Sequence, residues 1–135
     1  GLSLKALFYQ KLQYDFIMIR YLMYNNSVDT DEYNKVILSI SESRQKIYSH
    51  STPSEKKVLL YCIDTLFDII NEGDREKIID FTDAIHNIPE IYMQKRNLNS
   101  FRKEFKAFQK KYGKQYFPFI DEIKPYFSNK GFRKK

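Results

Sequence analysis

The chain has 135 residues, of which 42% are hydrophobic and 30% charged, a composition typical of one globular domain and not of a disordered chain. Four glycines and four prolines are too few for the many tight turns of a β-sandwich, and the single cysteine, Cys62, excludes an intramolecular disulfide and a cysteine-only zinc site. The formal net charge is +6. The low cysteine content indicates a reducing compartment, so we expect a cytoplasmic protein. No run of about 18 uncharged apolar residues occurs, so no membrane span is predicted.

Two amphipathic helices are predicted in the first 50 residues, because apolar side chains recur there every three or four positions. The first runs from about residue 3 to residue 25 and carries an inner stripe of Leu4, Phe8, Leu12, Phe16, Ile19 and Met23. The second follows Thr30, which can act as its N-cap ahead of an acidic first turn. Asp15 flanks the first stripe, and a half-buried carboxylate needs a partner. We therefore predict an ion pair between Asp15 and Arg44 of the second helix.

The third predicted helix has the clearest start in the sequence. Thr52 can act as its N-cap, Pro53 suits its first position and Glu55 completes a capping box. Gly73 fits the left-handed position that ends a helix. A fourth helix follows and is broken or kinked at Pro89. The short link between the third and fourth helices predicts that they pack antiparallel.

The last third of the chain is basic and aromatic. A fifth helix is predicted from about residue 99 to Gly113, with the aromatic stripe Phe101, Phe105, Phe108 and Tyr112. Two prolines after it allow only a short sixth helix near residues 119–124, and residues 128–135 are predicted to be a frayed tail. The sequence thus predicts an all-α, single-domain bundle of five to six helices over residues 1–135. Residues 1–94 form an acidic four-helix body, and residues 95–127 form basic, aromatic helices.

The segment at residues 80–91 reads DFTDAIHNIPEI. It resembles a family of small uncharacterised all-helical proteins of Gram-positive bacteria, which carry a DAIHNIPE-like segment followed by an aromatic and basic helix. The resemblance covers about the C-terminal half of the chain. It implies a bacterial source and an all-helical fold, and it implies no activity and no functional residue.

Charge is distributed unevenly along the chain. Residues 95–135 contain 13 basic and 3 acidic residues, whereas residues 1–94 contain 10 basic and 14 acidic ones. A basic segment interleaved with aromatics can track phosphates and stack bases. The helical spacing nevertheless favours a solvated helix whose aromatic residues face the core. The candidate binding residues are Arg102, Lys103, Lys106, Lys110, Lys111 and Lys114.

Acidic residues on the third and fourth helices suggest an alternative function. In an antiparallel hairpin Asp64 falls at about the level of Asp80, and Asp83 and His86 follow along the fourth helix. Paired carboxylates of this kind can hold a magnesium or manganese ion. The sequence lacks the paired Glu-rich motifs of all-helical nucleotide pyrophosphohydrolases, and it lacks the two Glu-x-x-His motifs of di-iron bundles. Solvated outer faces of two amphipathic helices are the simpler interpretation of these acids.

The sequence therefore favours a non-enzymatic interaction protein that uses its basic C-terminal third. The sequence does not identify its partner: the candidates for the basic segment are a nucleic acid, an acidic protein and an anionic membrane surface, and self-association stays open. Neither a cofactor nor a metal site is predicted. The alternative is a divalent-metal-dependent hydrolase that uses Asp64, Asp80, Asp83 and His86.

Overall fold

A computed structural model of the chain describes residues 3–94 and 99–122. Six α-helices account for most of them: α1 (Leu4–Tyr24), α2 (Asp31–His50), α3 (Pro53–Glu72), α4 (Arg75–Ile85), α5 (Ile88–Gln94) and α6 (Asn99–Tyr112), followed by one 3-10 turn at Ile120–Glu122. No strand occurs in the described residues, so the predicted all-α fold is confirmed. The predicted tail at residues 128–135 and the last part of the predicted sixth helix lie outside the described residues.

The predicted helix boundaries of α2 and α3 are confirmed by their capping contacts. The Thr30 hydroxyl accepts the Tyr33 N–H at 3.2 Å and begins α2. At the start of α3, the Thr52 hydroxyl accepts the Glu55 N–H at 3.3 Å, while the Glu55 carboxylate accepts the Thr52 N–H at 3.0 Å. Gly73 ends α3 with a φ of 78°, a left-handed conformation that favours glycine.

The segment after α4 is the short helix α5. Pro89 is its second residue, where a missing N–H leaves no intrahelical bond unmade. The break predicted at Pro89 therefore falls a few residues earlier, between the end of α4 at Ile85 and the start of α5 at Ile88.

Helix α1 packs against α2, α4 and α5, and α3 closes the other side of the core against α2 and α4. Fully buried side chains from α1, α2, α3 and α4 meet there, among them Leu12, Phe16, Ile40, Leu59, Leu66 and Phe81. Cys62 lies among them, and burial raises the pKa of its thiol. It is therefore a small core hydrophobe. No helix in the described part of the chain is both long and apolar enough to cross a lipid bilayer.

The predicted ion pair between Asp15 and Arg44 is wrong. Asp15 is buried and accepts a 2.5 Å hydrogen bond from the Ser39 hydroxyl on α2. Arg44 instead forms a bidentate pair with Asp64 on α3, at 2.6 Å and 2.9 Å. Ser39 and Arg44 are five positions apart on α2, which is nearly one and a half helical turns. When Ser39 faces α1, Arg44 therefore faces α3.

Candidate functional site

Helix α6 is held on the body by its aromatic stripe. Phe101, Phe105 and Phe108 are buried, and Phe108 meets Phe81 of α4 edge to face, with ring centroids 5.3 Å apart. The prediction that Phe105 and Phe108 are mostly buried is confirmed. These rings fill the core and offer no stacking platform for bases, so the expectation of an aromatic-interleaved binding face is not met by these three residues.

The chain after α6 turns back and is fixed to α3. The Phe117 N–H donates a 2.7 Å hydrogen bond to the Tyr61 hydroxyl, and the Gln109 side chain donates to the Tyr116 carbonyl at 2.9 Å. Helix α6 thus has contacts to the body along its stripe and just beyond its C-terminal end.

Four of the six candidate binding residues form one exposed row along α6 and just beyond its end. Lys103, Lys106 and Lys110 follow one another at spacings of three and four residues, which keeps them on one side of the helix, and Lys114 lies two residues after the last helical residue, Tyr112. We call these four residues the lysine row. All four are exposed, and no carboxylate in residues 3–94 or 99–122 lies within ion-pair distance of any of them.

The other two candidate residues lie differently. Lys111 points to α4, where its ammonium is 3.1 Å from Glu76 and 2.9 Å from Asp80. Hydrogen bonds to Asp80 and Glu76 raise its pKa. Arg102 is partly buried, and its Nε has no hydrogen-bond partner among the described residues. Neither residue belongs to the lysine row.

Most basic side chains of the body have partners within the body. Lys5 lies 2.6 Å from the buried Glu55, and Lys77 lies 2.8 Å from Glu72. Arg75 donates to the Met23 carbonyl at 2.8 Å, and Lys56 lies over the Tyr48 ring. The lysine row therefore differs from most basic residues of the body, because none of its four ammonium groups has a carboxylate partner among the described residues.

Three of the four residues of the hydrolase hypothesis line one pocket between α4 and α6. Asp80, Asp83 and His86 lie there, together with Glu104 and Lys111, around a volume of about 370 Å³. Asp64 is not part of this pocket, because its carboxylate is bound by Arg44 on the side of α3 that faces α2. The carboxylates of Asp64 and Asp80 thus have partners on different helices, and only Asp80 lines the pocket.

The acids of this pocket already have partners. Asp80 accepts hydrogen bonds from Lys111 and, at 2.6 Å, from the Tyr112 hydroxyl. Asp83 lies 3.4 Å from Nε of Arg20 on α1. The described residues contain no group of three His, Cys, Asp or Glu side chains that could hold a metal ion. The geometry therefore gives the hydrolase hypothesis no support.

His86 and Glu104 also line this pocket. Nδ1 of His86 lies 3.2 Å from the Thr82 carbonyl and 3.0 Å from that of Asp83, so the ring hydrogen-bonds the end of α4. Burial raises the pKa of Glu104. Glu104 is not among the residues predicted for this site, although its spacing of four and seven residues from Phe108 and Lys111 places all three on one side of α6.

The chain matches no protein-family model, no curated protein and no solved structure. The resemblance of residues 80–91 to small all-helical proteins of Gram-positive bacteria remains an interpretation of the sequence. In the structure this segment contains the last half of α4, the break and the start of α5.

Proposed function

We propose that this chain is a non-enzymatic interaction protein that binds the phosphate backbone of a nucleic acid through the lysine row. The observation that carries the proposal is the uncompensated charge of the row on a helix that is packed against the body. Lys111 is the internal comparison, because its neighbouring acids already compensate its charge.

The composition of the surface favours a phosphate backbone over an acidic protein. Protein–protein interfaces are enriched in aromatic residues, Met and Arg at their centre and depleted in Lys. The exposed side of α6 has the opposite character, because its phenylalanines face inward and its outward side chains are lysines. Ammonium groups supply point charges without base readout, so the expected binding is electrostatic and independent of sequence.

The test is binding of the full chain to a fluorescent single-stranded RNA and to a duplex DNA, followed by anisotropy over a range of salt concentrations. Log affinity should fall linearly with log salt, by roughly 0.7 to 0.9 per phosphate contacted. The triple variant Lys103→Glu, Lys106→Glu and Lys110→Glu should lose binding.

A matched control changes the net charge equally at exposed lysines of the body, through Lys35→Glu, Lys46→Glu and Lys57→Glu. This control should retain more affinity than the α6 variant. An equal loss of affinity in both variants would show that only net charge matters and not the position of the lysines. Salt-independent binding, or no binding at low salt, would overturn the proposal. Binding to polyglutamate but not to nucleic acid would reassign the row to an acidic protein.

A further inference from the structure

Helix α1 is apolar on its outer side as well as on its inner side. Its inner residues pack into the core, whereas a second set of large apolar side chains faces away from α2, α4 and α5. We call this second set the α1 stripe; it consists of Leu4, Leu7, Tyr14, Ile17, Tyr21 and Tyr24, which are 39% to 60% exposed. Leu4 therefore belongs to the outer face and not, as the sequence predicted, to the inner one.

The α1 stripe lies at the upper end of the apolar patches that monomers expose. A fully buried aromatic side chain removes about 150–250 Å² from water, so three half-exposed tyrosines together with three smaller, half-exposed aliphatic side chains present on the order of 500 Å². The largest apolar patch on a typical monomer covers about 300–600 Å², and each partner of a standard protein interface contributes about 800 Å². The stripe thus supplies most of the area that one side of a stable dimer needs.

The spacing of the stripe fits another helix laid along it. Leu7, Tyr14 and Tyr21 are seven residues apart, and Ile17 and Tyr24 repeat at the same interval three residues later. A repeat of seven residues keeps one seam facing a neighbouring helix over its whole length.

The order of the stripe residues is also self-complementary. In an antiparallel pair of α1 helices centred on Tyr14, the Tyr14 rings of the two copies meet. Leu7 then lies opposite Tyr21, and Leu4 lies opposite Tyr24 of the second copy, because these positions are equally far from the centre. A twofold-symmetric interface requires this kind of match between a surface and its own reversed copy.

The charges beside the stripe allow this pairing. Lys11 lies between Leu7 and Tyr14, and in the antiparallel register it comes opposite Ile17 rather than another charge. Its ammonium lies 3.8 Å from Glu42 of α2, so the charge is compensated within its own copy while its aliphatic stem can cover apolar surface.

We propose that two copies of this chain associate through antiparallel packing of their α1 stripes, independently of the lysine row. Sedimentation velocity of the full chain across a wide concentration range should show a monomer–dimer equilibrium. Tyr14→Glu should weaken dimerisation by about tenfold or more, because it brings two carboxylates together at the centre. The matched control is Tyr48→Glu on α2, since Tyr48 is 62% exposed and Tyr14 is 60% exposed; this control should dimerise like the unaltered chain.

Cross-linking separates the antiparallel register from others. Tyr14→Cys should give a covalent dimer with a short bismaleimide reagent, whereas Tyr24→Cys should not, because position 24 meets position 4 of the second copy. Mixing the Leu4→Cys and Tyr24→Cys variants should restore the product, and Cys62 should not react because it is fully buried. Cross-linking of Tyr24→Cys alone would overturn the antiparallel arrangement.

A chain that stays monomeric at all concentrations would overturn the proposal, as would a dimer whose dissociation constant is unchanged by Tyr14→Glu. A monomer that sediments with lipid vesicles through the same residues would reassign the α1 stripe to a membrane surface. Circular dichroism of each variant guards against misfolding, and every substituted residue is exposed in the monomer.

Discussion

Phe105 of α6 stacks on Phe117, with ring centroids 4.2 Å apart and planes inclined by 13°. Phe117 has a φ of 56°, which is rare for a bulky side chain and costs free energy unless the surroundings hold it. Phe81 contacts the same ring, and Tyr61 accepts the Phe117 N–H. The aromatic cluster therefore holds α6, the returning segment and the body together.

Removal of the Phe105 ring should destabilise the protein strongly. Phe105→Ala leaves a cavity beside Phe117, and we expect the free energy of unfolding to fall by roughly 3 to 5 kcal/mol. Urea unfolding followed by circular dichroism measures this loss. The neighbouring Lys106→Ala serves as control and should change stability by no more than about 0.5 kcal/mol, because Lys106 is exposed. Equal stability of the two variants would contradict a core role for Phe105.

Position 73 has room for a side chain, but its backbone conformation disfavours any residue other than glycine. A Cβ at this position meets no atom within 4 Å, yet φ is 78°. Gly73→Ala should therefore lower the free energy of unfolding by about 1 kcal/mol through backbone strain alone. Gly73→Asn should cost less, since asparagine adopts the left-handed conformation more readily. A stabilising Gly73→Ala would contradict the separation of α3 from α4.

Local features of the fold could be predicted from the sequence, because they depend on residues a few positions apart. The capping box of Thr52 and Glu55, the end of α3 at Gly73 and the buried stripe of α6 are of this kind. Helix α5 was missed because seven residues that include Pro89 are too few to show a helical period.

The side-chain pairs between helices could not be predicted, because they depend on how each helix is rotated against its neighbours. The apolar surroundings of Asp15 and Arg44 predict a pair between them, but the rotation of α2 places Ser39 beside Asp15 and Arg44 beside Asp64. The outer face of α1 was also missed. The apolar residues of the outer and inner faces of α1 are interspersed along the sequence. Only the packing of the helices shows which of them, such as Leu4, remain exposed.

Asp15 should make stability depend on pH above the ordinary pKa of an aspartate carboxyl. Burial raises the pKa of its carboxyl above the ordinary value, against the lowering effects of the Ser39 hydrogen bond and of Lys11. The folded state therefore binds the proton more tightly than the unfolded state, and stability falls as pH rises from the unfolded pKa through the folded one.

Asp15→Asn should abolish this pH dependence. The gain in stability of the variant over the unaltered chain should therefore be larger at neutral pH than at pH values below the ordinary carboxyl pKa. Thermal unfolding of both chains between these limits measures the difference. Ser39→Ala should strengthen the pH dependence, because it removes a hydrogen bond that favours the ionised carboxyl. A difference between the two chains that stays constant with pH would contradict a raised pKa for Asp15.

Lys110 and Lys111 are adjacent on α6 and should contribute unequally to polyanion binding. The ammonium of Lys111 stays charged, because its bonds to Asp80 and Glu76 raise its pKa. Its field is nevertheless offset by those two acids, whereas Lys110 has no carboxylate partner among the described residues.

Lys110→Gln should therefore reduce the slope of log affinity against log salt by roughly 0.7 to 0.9, the value of one phosphate contact, and Lys111→Gln should reduce it less. The double variant Glu76→Gln and Asp80→Asn releases Lys111 and should increase both affinity and slope. In that background Lys111→Gln should then match Lys110→Gln. Equal slopes for Lys110→Gln and Lys111→Gln in the unaltered background would show that the polyanion senses only net charge, and the lysine row would lose its role as the binding surface.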